Sequence, residues 1–74
     1  MTKTDYIIFN STARKIEYFQ ENNFDKYVIL DYVDGVINTV RKSDLCSDEL
    51  LRYLFDMRQK VVLEENDLGA YIND

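Results

Sequence analysis

The segment Tyr27-Val-Ile-Leu-Asp-Tyr-Val33, Asp34-Gly35, Val36-Ile-Asn-Thr-Val-Arg-Lys42 constrains the fold more than any other part of the chain. Asp-Gly supplies the two left-handed positions that a type I′ turn requires, and both flanks are rich in β-branched and aromatic residues. The pattern predicts a β-hairpin over 27–42. With a two-residue turn, Val33 faces Val36, Asp31 faces Asn38 and Ile29 faces Val40 on one side of the ribbon. The other side pairs Tyr32 with Ile37, Leu30 with Thr39 and Val28 with Arg41. Neither side is wholly polar. The domain's own helices are therefore expected on one, and a partner or a second copy on part of the other.

Around the hairpin, residues 5–9 form a short apolar run that predicts a first strand. From Ser11 or Thr12 as N-cap, Ala13, Ile16 and Phe19 recur at helical spacing up to Asn22-Asn23, although Ile16 and Tyr18 also alternate with charge, as in a strand. Residues 43–47 read as a turn with capping residues. A helix follows from about Asp48 to Lys60, with Leu50, Leu51, Leu54, Phe55 and Met57 on its apolar face, acids at its start and bases at its end. Residues 61–63 either continue it or form a short strand. The expected fold class is α+β: a small, mainly antiparallel sheet, made of hairpin 27–42 plus one or two short strands, packed with two helices.

At 74 residues, a single domain over 1–74 is the economical reading, with a thin core that needs support. Cys46 is the only cysteine and there is no histidine, so neither an internal disulfide nor a Cys/His zinc site can supply it. Self-association or a partner remains. No run is long and apolar enough for a signal-peptide core or a membrane span, which makes the cytoplasm the expected compartment.

The net charge of −5 is unevenly placed. Residues 1–42 carry six acids against six bases, and residues 43–74 carry eight against three. Asp48, Arg52, Asp56 and Lys60 alternate in sign every four residues, the spacing of a helix salt-bridge ladder that neutralises its own face. Within residues 43–74 the acids outside that ladder are Asp44, Glu49, Glu64, Glu65, Asp67 and Asp74, joined by the same-sign pair Glu17 and Glu21 on the first predicted helix. Carboxylates at helical or turn spacing can imitate the regular charge of a nucleic-acid backbone; a solvated face that confers solubility is the plainer reading. The same field opposes direct binding of nucleic acid.

No catalytic residues are assigned. Histidine is absent, Gly35 and Gly69 are the only glycines, and no nucleophile has an evident base. Cys46 beside a helix start could be a reactive thiolate, but such a cysteine is far more often a small buried hydrophobe. Glu64, Glu65, Asp67 and Asp74 fit no EF-hand spacing, so no metal and no cofactor is expected. The six tyrosines exceed what so small a core hides, and interfaces are enriched in tyrosine. Tyr27, Ile29, Val33, Val36 and Val40 are therefore candidates for a dimer or target surface, while Phe19, Phe24 and Phe55 are assigned to the core.

In length, Asp/Asn/Tyr-rich composition and the one-sided acidity of residues 44–74, the chain resembles the small acidic inhibitors that bacteriophages direct at host proteins. Among these it is similar to DNA mimics, including those that occupy histone-like HU proteins, and to some anti-CRISPR proteins. The resemblance implies a non-catalytic binder that blocks the nucleic-acid-binding surface of a basic host protein. The alternative is an antitoxin-like or adaptor module that binds through the Tyr and aliphatic surface of the hairpin.

Overall fold

A computed structural model describes residues 1–43 and 47–63. These residues form three α-helices: α1 Lys3–Glu21, α2 Lys26–Arg41 and α3 Asp48–Val62. Among the described residues there is no strand, so the α+β expectation is wrong and the fold is a helical bundle.

The largest correction falls on 27–42, which is α2 and not a hairpin. A hairpin would place Asp31 and Asn38 on the same side as Ile29, Val33 and Val40. The helix instead gathers Ile29, Val33, Ile37 and Val40 into one buried stripe and leaves Asp31 and Asn38 outside. Burying four such side chains contributes roughly 1.5–3 kcal/mol each. That outweighs the helix penalty of the β-branched residues, each at most about 0.7 kcal/mol, and of Gly35, about 1 kcal/mol. Gly35 has no positive φ, so the Asp-Gly pair makes no turn.

Residues 5–9 are likewise helical. Thr2 caps α1 with a capping box: its hydroxyl accepts from the Asp5 amide at 3.1 Å, and the Asp5 carboxylate accepts from the Thr2 amide at 3.1 Å. Asp5, Phe9, Thr12, Ala13 and Ile16 then face inward. Thr12 is not a cap but a buried residue whose hydroxyl donates to the Ile8 carbonyl at 2.8 Å.

The predicted stop at Asn22-Asn23 is correct. Asn23 is left-handed with φ 58°, the Phe24 amide donates to the Phe19 carbonyl at 2.9 Å, and the Asn23 amide donates to that of Gln20 at 3.1 Å. This is a Schellman motif, and the apolar contact that accompanies it is the stack of Phe19 on Phe24, with centroids 4.9 Å apart. Asp25 caps α2 by accepting from the Tyr27 amide, and Ser47 caps α3 by accepting from the Leu50 amide.

The predicted helix from Asp48 is also correct and continues through Val62. Leu50, Leu54, Met57 and Val61 are buried, whereas Phe55 is 46% exposed and Phe24 44% exposed, outside the core to which the sequence assigned them. The core is one cluster drawn from all three helices. Arg58 of α3 donates to Asp34 of α2 at 2.6 Å and ties their outer edges; the paired carboxylate raises the Arg58 pKa further.

Candidate functional site

Two features stand out beyond the core. The first joins the starts of α1 and α3. The Asp5 carboxylate is fully buried, and its Oδ2 accepts from the Thr2 amide at 3.1 Å and from the Ser47 hydroxyl at 2.8 Å. Ser47 is itself the cap of α3, so one carboxylate serves two helix N-termini, where the aligned peptide dipoles favour negative charge. The Ser47 hydroxyl bond and the Thr2 amide bond hold the Asp5 carboxyl below its ordinary range against the opposing effect of burial. Asp5 Oδ1 is buried with no hydrogen-bond partner among the described residues. Nearby, the Met1 ammonium lies 3.5 Å from Glu49. This cluster is a structural clasp.

The second feature is an open, mainly apolar groove of about 470 Å³ on the flank of α2 that faces α1. Two rows of α2 residues four apart build it. Tyr32, Val36 and Val40 form the apolar row, with Ile8 of α1 as the opposite wall; Asp31, Gly35 and Thr39 form the outer row. Val28, one turn before Tyr32, is exposed and extends the apolar row. Tyr32 packs edge-on against Phe19 with centroids 5.7 Å apart, so the Phe19–Phe24 stack closes that end of the fold. The Lys15 ammonium lies 5.3 Å from the Phe19 ring centroid and 5.5 Å from that of Tyr18.

Few polar groups in the groove are free. The Thr39 hydroxyl donates to the Gly35 carbonyl at 2.9 Å. Asp31 is exposed and has no partner among the described residues. A Cβ placed on Gly35 would meet nothing within 4 Å among the described residues, so their packing does not require glycine there.

The residues singled out from sequence are scattered. Of the apolar candidates, Ile29, Val33 and Val40 are in the core, Val36 is half-buried in the groove, and Tyr27 is 71% exposed on α2. Of this set Val36 and Val40 line the groove and Tyr27 is exposed, while Ile29 and Val33 point inward, because helical and not alternating periodicity decides which side chains point out. Of the acidic candidates, Glu17 and Glu21 lie on the second half of α1 and Glu49 on the first turn of α3. Asp44, Glu64, Glu65, Asp67 and Asp74 lie outside the described residues, as does Cys46. The described residues carry nine acids and nine bases, so the whole excess of −5 resides in those five acids.

The groove residues Ile8, Asp31, Gly35 and Thr39 were missed as a site, whereas Tyr32 belongs to the Tyr and aliphatic surface expected from the sequence. The signal was present: Val28, Tyr32, Val36 and Val40 recur every four residues beside the row of Asp31, Gly35 and Thr39. It becomes visible only when 27–42 is read with a helical period. Among the described residues no helix is long and apolar enough to cross a membrane.

No protein-family model matches the chain, and no curated protein or solved structure is significantly similar to it.

Proposed function

We propose that the protein is a non-catalytic interaction module of the cytoplasm that binds a partner protein through the groove between α1 and α2. The observation that carries this is the groove itself: a half-buried apolar row, extended by the exposed Val28, beside the stripe of α2 that fills the core. Exposed apolar surface of this kind, rimmed by polar residues, is the usual mark of a binding site. A small bundle also gains stability when a partner covers such a face.

A second function, charge mimicry toward a basic nucleic-acid-binding host protein, has one observation in its favour. The balanced body leaves all excess negative charge at Asp44 and in residues 64–74, as the resemblance to phage inhibitors would require.

Affinity capture from bacterial lysate supplies a partner on which the two separate. Gly35→Gln places a long side chain in the groove from a position where an added Cβ meets no neighbour among the described residues, and is expected to abolish binding. Reversal of Glu64, Glu65 and Asp67 to lysine is expected to leave it nearly intact, with little dependence on salt. Loss of binding in the triple reversal, with an affinity that falls steeply as salt rises, would assign the function to charge mimicry instead.

A further inference from the structure

We propose that the occupant of the groove is an amphipathic α-helix of a different protein, which lays apolar side chains along Val28, Tyr32 and Val36 and sets a lysine or arginine against Asp31. This deepens the module function above and rests on it. Rows of side chains four apart are the ridges between which another helix packs, and the missing side chain at Gly35 lets a second backbone approach α2 midway along the groove. Gly35 sits there at a helix cost of about 1 kcal/mol, although a Cβ added to it would meet nothing within 4 Å among the described residues.

Charge fixes the rest of the occupant's chemistry. Among the described residues lining the groove Asp31 is the only charged side chain, and it is unpartnered among them. A helix covering it would strip water from a carboxylate, which is tolerated only if the newcomer brings a cation. A second copy of α2 brings none. Crossing antiparallel at Gly35, it would oppose Asp31 with Thr39; crossing in parallel, it would oppose Asp31 with Asp31. The bases of α2 are at its two ends, Lys26 and Arg41, away from the crossing.

The probes are designed helical peptides of about 18 residues, or five turns. They carry leucines at i, i+3, i+4 and i+7 and either lysines or glutamates flanking that stripe, and binding is read by fluorescence anisotropy. The lysine peptide should bind the full chain at least about tenfold more tightly than the glutamate peptide. Asp31→Asn should erase the preference and Asp31→Lys should invert it. Asp48→Asn, which removes an exposed carboxylate of α3, should leave it in place. Gly35→Gln should weaken both peptides, and far-UV circular dichroism checks that each variant keeps its helices. Equal binding of the two peptides, lost in Gly35→Gln, would overturn the charge inference and leave the groove as the binding site. Binding unaffected by Gly35→Gln, or no binding of either peptide, would overturn both. A concentration-dependent dimer in sedimentation that Gly35→Gln dissociates would overturn the choice of a foreign helix in favour of a second copy.

Discussion

Helices α2 and α3 bury the same number of side chains at nearly the same spacing, yet they are helical for different reasons. The buried stripe of α3 is Leu50, Leu54, Met57 and Val61, three of them good helix formers, and no glycine interrupts the helix. That of α2 is Ile29, Val33, Ile37 and Val40, all β-branched, with Gly35 on the opposite side. Local preference and packing agree in α3 and conflict in α2, where packing prevails. The helix that owes most to its neighbours is also the one that carries the groove. A partner helix on that groove would supply the outer flank of α2 with the contacts its sequence lacks.

Removing core volume from each helix separates the two most strongly. Leu54→Ala should lose about 2–5 kcal/mol, enough to unfold most of a domain that holds only a few kcal/mol in total. Ile37→Ala makes a similar cavity but replaces a β-branched residue by the best helix former. Its loss should be smaller, by less than about 0.7 kcal/mol. Urea denaturation of both variants checks the order; a larger loss at Ile37 would place the two helices on an equal local footing.

The clasp at the starts of α1 and α3 anchors α3 independently of α2. Ser47→Ala removes the cap of α3 and the strongest support of the Asp5 carboxylate, and should lower stability by about 1–2 kcal/mol at neutral pH. The Asp5 carboxyl is held below its ordinary value, so its share is present above an unfolded-state pKa of about 3.9 and is lost as the pH falls through the lower folded value. The gap between wild type and Ser47→Ala should therefore narrow in acid. A gap that stays constant from neutral pH to below pH ~3 would remove Asp5 from the account.

The sequence declared α3 because every local signal there points the same way: Ser47 and the early acids, the leucine spacing, and Lys60 in the last turn. It also declared the end of α1, since Asn22-Asn23 can adopt the left-handed cap. The start of α1 was hidden because Thr2 and Asp5 form a capping box only if the apolar run behind them is helical, and that run, Tyr6 to Phe9, has the composition of a strand. Helix α2 was hidden by the same conflict between preference and packing that distinguishes it from α3. The groove was concealed with it, since a wrong period assigns Ile29, Val33 and Val40 to the surface and never sets Gly35 beside Tyr32 and Val36. The acidic set at Glu64, Glu65, Asp67 and Asp74 lies outside the described residues, and its part is decided by charge reversal.

Gly35→Ala is the most direct test of whether 27–42 is a helix held by packing. In α2 an alanine at this position meets no neighbour among the described residues and adopts the backbone without strain, so the free energy of unfolding should rise by about 1 kcal/mol with the far-UV circular dichroism unchanged. In a type I′ turn the same substitution forces a Cβ into the left-handed region; a loss of stability of about 1 kcal/mol or more would contradict the helical account of this segment and the groove built on it.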